Sequence, residues 1–345
     1  MLNIDMKYVL DLNAELLAIP SVAGDCREAL ARCEREFERF GLKVEKNNKG
    51  ALFARMAGAS DEGARLVGAH TDTLGAVVRM IKPNGRLRLL PIGGFAWQNF
   101  DGENLWVRTS EGAMIRGTLL NEKASRHAFG EACDTFPRTN ETMEVRLDED
   151  TSSAEETRAL GIEVGDFVFF DHRLEVRPNG YIKSRYLDDK VCIAAMFGVI
   201  KAMTEAGVRP SHTVYFNITH YEELGHGISY VPEGVTECLS LDIGIVAPET
   251  NSSERAVTVV ARDSRTPYDF EYRNRLVTLA KKNGIPYRVD THYRYGSDAS
   301  LAVIAGKDFN YACIGPGVDA SHFYERTHVT AVKACADLLG VYLCD

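Results

Sequence analysis

Charged residues at Asp5, Lys7, Asp11 and Glu15 punctuate the apolar start of the chain and predict an amphipathic helix from Asp5 to Leu17. A second helix is predicted from Asp25 to Phe40, closed by Gly41. Short apolar runs then predict strands at Leu42 to Glu45, Leu52 to Met56 and Arg65 to His70, the texture of an α/β layer. After Gly75 the pattern changes to short alternating runs broken by Asn84-Gly85, Glu111-Gly112 and Asn179-Gly180, with Ile115, Leu119, Val145, Leu147 and Val168 at strand-like positions. This predicts a small β-rich insert, a barrel, over residues 76–178, with a helical turn near Ser153 to Leu160.

The α/β rhythm resumes at Asp188. Val191, Ala194, Ala195, Gly198, Val199 and Ala202 share one helical face that ends at Gly207. Strands follow at Thr213 to Thr219, Leu239 to Val246 and Ala256 to Ala261, then a helix from Phe270 to Asn283 and a strand from Tyr287 to Thr291. A helix after Ser297, a strand from Tyr311 to Ile314 and a helix from Val329 to Leu343 complete the chain. The expected architecture is a discontinuous α/β domain, residues 1–75 and 179–345, split by the barrel insert.

A chain of 345 residues exceeds the usual single-domain size, which agrees with that division. The formal charge of -9, with no run of lysines or arginines, speaks against nucleic acid as a partner, so small or peptidic substrates are expected. Nothing approaches a membrane span and the charged first helix does not read as a signal peptide, so no membrane partner and a cytoplasmic address are expected. Eight cysteines (Cys26, Cys33, Cys133, Cys192, Cys238, Cys313, Cys335 and Cys344) include no C-x-x-C pair and read as small hydrophobes of a reduced protein.

Candidate chemistry gathers at predicted strand ends. Glu222 and Glu223, in Tyr221-Glu222-Glu223-Leu224-Gly225, follow the strand ending at Thr219. His70 and Asp72 follow Arg65 to Val67, Asp242 lies in Leu239-Ser240-Leu241-Asp242-Ile243-Gly244, and Asp188 precedes a helix. His322 follows the Tyr311 to Ile314 strand through a Gly-Pro-Gly turn. Ligands of open α/β sheets bind beyond the carboxyl ends of the strands, so these segments can converge on one crevice. Each alone has an ordinary reading: an acidic pair is solvated surface, a single histidine is a hydrogen-bonded structural residue, and Asp188 is a helix cap. An acid buried within so apolar a stretch as that around Asp242 favours a cation beside it. Two divalent ions need a bridging carboxylate, terminal histidine and carboxylate ligands and a base for the attacking water, and mixed nitrogen and oxygen ligation suits zinc or cobalt better than calcium or magnesium.

The ordered set Gly68-Ala69-His70-Thr71-Asp72, Leu187-Asp188-Asp189-Lys190, Glu222-Glu223-Leu224-Gly225, Asp242, Gly296-Ser297-Asp298-Ala299 and Gly315 to His322 resembles the tetrahedral (TET) aminopeptidase family, which includes glutamyl aminopeptidases and proteins once described as endoglucanases. The resemblance spans essentially the whole chain. It implies a three-layer α/β/α zinc-exopeptidase-like domain with an inserted barrel, and removal of the amino-terminal residue of short peptides. It further implies that His70 and Asp242 hold one metal, Glu223 and His322 the other, and Asp188 bridges them. Glu222 is then general base and acid, and Asp72 orients His70. Members use two zinc or cobalt ions and many form dimers that build dodecamers through the insert, so a homo-oligomer is expected.

Two departures stand out. The family's Asp-Asn-Arg is Asp188-Asp189-Lys190, which adds a charge beside the bridging ligand. The family's Arg-Tyr-x-His-Ser is replaced by Asp319-Ala320-Ser321-His322-Phe323-Tyr324-Glu325-Arg326-Thr327-His328; counting from Gly315 selects His322, and His328 is its rival. The motif Ala-Ser-His-x-Tyr-Glu-Arg-Thr-His is similar to a subgroup found with genes for the osmoprotectant N-acetylglutaminylglutamine amide. A deacylase or amidohydrolase acting on an N-acetylated dipeptide amide is therefore one alternative, and a non-catalytic assembly or binding module that keeps the fold is another. Asp298 reads either as a helix cap or as part of the substrate cleft, His226 is a further histidine close to Glu223, and Tyr293 and Tyr295 read as packing.

Overall fold

The computed structural model describes residues 1–345 and divides into two compact units, Met1–Asp72 with Arg173–Asp345, and Thr73–His172. In the first unit α1 (Met6–Ala18) starts behind Asp5, whose side chain accepts the Tyr8 N–H, and α2 (Arg27–Arg39) is followed by Gly41 at a left-handed φ of 73°. Strands β1 (Val44–Lys46), β2 (Leu52–Met56) and β3 (Ser60–His70) follow, and Ala64 to His70 are buried without interruption. That is the mark of a central strand covered on both faces.

The second unit is a closed antiparallel barrel. Its strands are β4 (Gly75–Ile81), β5 (Leu87–Ile92), β6 (Asn104–Arg108), β7 (Met114–Asn121), β8 (Met143–Leu147) and β9 (Phe167–Phe170), closing in the order β4-β5-β8-β7-β6-β9. Val78, Leu87, Trp97, Leu105, Val145 and Phe170 help fill it. Two short helices, α3 (Arg126–Phe129) and α4 (Ala132–Thr135), leave it with no buried residue, and α5 (Ala154–Ala159) begins in a capping box between Ser153 and Glu156.

The chain returns to the large unit through the hairpin of β10 (Glu175–Val176) and β11 (Tyr181–Ser184), turned at Gly180 with φ 92°. The sequence reading places the start of this hairpin in the insert, but it pairs with the large sheet through β18. After α6 (Leu187–Ala206) come β12 (His212–Thr219), β13 (Val235–Leu241), β14 (Gly244–Val246), β15 (Val257–Arg262), α7 (Phe270–Lys282) and β16 (Tyr287–Thr291). The last elements are α8 (Asp298–Ile304), β17 (Asn310–Asp319), β18 (Glu325–His328) and α9 (Val329–Leu343).

The centre of the sheet runs β12-β3-β13-β17, all parallel. On one face α6 lies against β3, α1 and α9; on the other α8 packs with Phe53, Leu66 and Cys238. The fold is thus the expected three-layer α/β/α domain with a β-barrel insert. Helix α6 is buried almost throughout because it is the middle member of its layer, and Gly198 permits the approach of α1: a Cβ there would meet Val9 Cγ2 at 2.5 Å.

Two elements differ from their sequence-based prediction. The single strand expected over Leu239 to Val246 is broken at Asp242 and Ile243, which separates β13 from β14. The Gly-Pro-Gly expected as a turn lies inside β17. There Gly315 and Gly317 serve close packing, since a Cβ would meet Asp242 O at 1.9 Å or Ser253 O at 2.1 Å. All eight cysteines are free, and no helix is long and apolar enough to cross a membrane.

Candidate metal centre

The carboxyl ends of the four parallel strands deliver the chemistry. His70 is the last residue of β3, Asp242 follows β13 directly, and Glu222 and Glu223 occupy a 3-10 turn just after β12, set between Tyr221 at φ 76° and Gly225 at φ 79°. His322 follows β17 in a segment where Ala320 and His322 both take left-handed φ, 56° and 64°. Asp188 lies at the start of α6, where it and Asp189 depart from helical geometry.

The side chains converge. Ligand-type atoms of His70, Asp188 and Asp242 lie within 4.8 Å of one another, as do those of Asp188, Glu223 and His322. Asp188 belongs to both groups and divides its oxygens between them: Oδ1 is 3.1 Å from His70 Nε2 and Oδ2 is 3.6 Å from His322 Nε2. His322 Nε2 is also 3.6 Å from Glu223 Oε2, and Glu222 Oε2 is 3.8 Å from His70 Nε2. Two clusters of imidazole and carboxylate that share one carboxylate fit a pair of divalent cations of the zinc type.

His328 does not join them. Its Nδ1 accepts the Thr330 N–H at the start of α9 and its Nε2 lies 2.9 Å from Asn179 O. His226 is exposed and contacts Lys49, and His220 accepts the Gly24 N–H while stacking on Tyr221.

Asp72 meets the His70 ring through its backbone carbonyl rather than its carboxylate. His70 Nδ1 meets the backbone carbonyl of Asp72 at 2.9 Å, which leaves Nε2 free to ligate, while the Asp72 carboxylate accepts the Glu222 N–H at 3.1 Å and the Glu223 N–H at 3.0 Å. Asp298 is not the cap of its helix, a place Ser297 takes; its buried carboxylate accepts the Thr219 hydroxyl and the Ile228 N–H. Tyr295 packs beside Cys313, its hydroxyl 3.5 Å from the thiol, and acts on the Asp242 carboxyl against the upward shift that burial imposes, so it bears on a site carboxylate from what reads as a packing position.

Two further carboxylates support the site: Asp189, noted in the sequence only as an added charge beside Asp188, and Glu325, given no role there. Asp189 Oδ2 accepts the His70 N–H at 3.2 Å, and Glu325 accepts the N–H groups of Asp188 and His322, both at 3.1 Å. The only signal for Glu325 is an acid three residues after His322.

So many acids in one buried place perturb each other. Burial, with neighbouring Asp242, Asp298 and Glu223, pushes Glu222 well above the usual carboxylate range against the pull of His70. Burial likewise raises Glu223 to about 7 and Glu325 to about 8, and lifts Asp242 and Asp189 well above normal. Burial works to raise Asp188 too, but the neighbouring imidazoles of His322 and His70 outweigh it and hold the carboxyl below its ordinary range. A buried surplus of carboxylate is the arrangement that cations relieve.

Known proteins resemble this chain in sequence and in fold. Residues 50–338 match the family described as M42 glutamyl aminopeptidase. The Bacillus subtilis (strain 168) protein named "Putative aminopeptidase YhfE" is 38% identical over 339 residues, 98% of each chain. The lysyl aminopeptidase of Pyrococcus furiosus is 26% identical over 272 residues, 76% of this chain and 75% of that one. Among solved structures, aminopeptidase APDkam598 from Desulfurococcus kamchatkensis superposes with a TM-score of 0.88 at 20% identity, covering 98% of this chain and 95% of that one. The Pyrococcus horikoshii TET1 peptidase, described as assembling into a tetrahedron or a large octahedral shell, gives 0.83 at 19% identity, with 98% and 99% covered. These two likenesses speak for the fold. The family match, the full-length relative and the ligand-rich crevice together place this chain in the M42 glutamyl aminopeptidase family of metal-dependent peptidases.

Proposed function

We propose that the protein is a dinuclear metallo-aminopeptidase that removes the amino-terminal residue of short peptides. The observation that carries this reading is the division of the Asp188 carboxylate between His70 and His322, with Glu222 beside them and in neither ligand cluster. His70, Asp242 and Asp188 would hold one ion and Asp188, Glu223 and His322 the other, zinc or cobalt being the natural choice for this donor set. When bound, such ions polarise the scissile carbonyl and acidify water.

The remaining steps belong to the chain. Glu222 takes a proton from the attacking water on its carboxylate and returns it to the departing amine nitrogen, and its upward-shifted pKa suits both halves of that exchange. Asp72 holds the turn that carries Glu222 and Glu223 by their N–H groups. Beyond the three ligand carboxylates, the crevice gathers Asp72, Asp189, Glu222, Asp298 and Glu325, a negative field that favours a protonated terminal amine over an acylated one. A homo-oligomer assembled through the barrel accompanies this reading, and light scattering measures it.

Replacing Glu222 by Gln should retain both ions and lower kcat about 10²–10⁴-fold. Unchanged turnover would remove Glu222 from the mechanism. Peptides with free and with N-acetylated termini decide between aminopeptidase and deacylase, and turnover of blocked peptides alone would refute the free-amine reading.

A further inference from the structure

Every ligand-bearing segment but one is held through its backbone by a carboxylate outside the ligand set. Asp189 receives the His70 N–H, Asp72 receives those of Glu222 and Glu223, and Glu325 receives those of Asp188 and His322; Asp242 alone donates to a backbone carbonyl, that of Ile314. Of these holders, Glu325 alone grips two ligand segments that are distant from each other in the chain, those of Asp188 and His322.

We propose that Glu325 is a positioning residue that sets His322 against Asp188 and so determines which carboxyl-terminal imidazole completes the second half of the ion pair. This rests on the dinuclear reading above. Glu325 is 2% exposed, and a buried carboxylate is tolerated only where hydrogen bonds replace its lost water. Its two oxygens are each used on a backbone donor, Oε2 on Asp188 and Oε1 on His322.

The segment it grips cannot hold its own shape. Ala320 and His322 carry side chains at left-handed φ, a conformation that persists only where surrounding contacts over-determine it. Glu325 supplies such a contact from a rigid base: it opens β18, where it pairs with Ser184 of β11 while Arg326 pairs with Asp319 of β17. Ser321 Oγ adds a second link, donating to Asp188 Oδ2 at 3.3 Å. Three residues further along the same strand, His328 is bonded to Asn179 and Thr330, so β18 presents one histidine segment to the crevice and retains the other in the sheet.

Calorimetric zinc titration of the EDTA-stripped full chain tests this, with thermal melts in EDTA to report the fold. Gln at position 325 keeps size but has one acceptor oxygen for two N–H groups. Glu325→Gln should melt cooperatively and still bind one ion with wild-type affinity, while the other loses about 10–100-fold in affinity, the usual effect of removing a group that orients a ligand. Glu325→Asp, shorter by one methylene, should lose affinity in the same direction, and it carries the test if the Gln variant does not melt cooperatively. Glu237→Gln, which disturbs a partly buried carboxylate on Arg275 and Tyr342, should leave both affinities unchanged. Wild-type affinity for both ions in a folded Glu325 variant overturns the proposal, as does an equal loss in Glu237→Gln. Failure of the unmodified chain to bind two ions would instead reject the dinuclear reading.

Discussion

Nδ1 of His70 lies 2.9 Å from the backbone carbonyl of Asp72, while the nearer carboxylate oxygen of the same residue stands 3.8 Å away. The side chain of Asp72 is thereby released to hold the Glu222-Glu223 turn. Asn at this position keeps the carbonyl partner of His70 but offers an NH₂ group to one of the two turn amides. Asp72→Asn should therefore lower kcat by roughly 10–100-fold while zinc content stays at the wild-type level, the cost of a misplaced base. Unchanged turnover per bound ion would show that the Asp72 carboxylate does not position the base.

Asp298 locks the loop that follows the turn. Gly227 passes so close to it that a Cβ would stand 2.1 Å from Asp298 Oδ1, and that carboxylate is tied to Thr219 and Ile228. Gly227→Ala should destabilise the protein by about 1–3 kcal/mol, the usual cost of overpacking, as read from chemical denaturation. A stability equal to wild type would mean that the loop shifts freely.

The buried acids give the metal-free protein a distinctive pH dependence. Burial raises Asp298 to about 6, Glu223 to about 7 and Glu325 to about 8, all above their unfolded values. Below about pH 4 both folded and unfolded chains hold these protons; as pH rises the unfolded chain releases them first, so stability is lost until the folded values are passed. The melting temperature in EDTA should fall by several degrees between pH 5 and 8. In zinc it should fall less, because ligation requires the deprotonated forms and strengthens over the same window. A melting temperature in EDTA that is flat or rising there contradicts the electrostatic account.

The parts of the site legible in the sequence are those whose residue type and local setting coincide. His70, Asp242 and the Glu222-Glu223 pair each follow an apolar run that can only be a central strand, and strand ends are where such sheets bind ligands. What stayed hidden depends on pairings distant in the chain. The break at Asp242 is invisible in Leu239-Ser240-Leu241-Asp242-Ile243-Gly244 because it lies against the backbone of Gly315, distant in the chain, and Gly315-Pro316-Gly317 imitates a turn although its small residues admit neighbouring backbone. Strand β18 pairs with β11, which lies far away in sequence, and without that pairing Glu325 is one acid among many. His322 and His328 are separable only by their surroundings: one faces Asp188 and Glu223, the other caps a helix.

Anomalous diffraction from crystals grown with zinc tests the central claim most directly. The account predicts two peaks about 3.5–4 Å apart with the Asp188 carboxylate between them, one beside His70 and Asp242 and the other beside Glu223 and His322. A single peak, or two peaks of which either lies out of reach of Asp188, would contradict it.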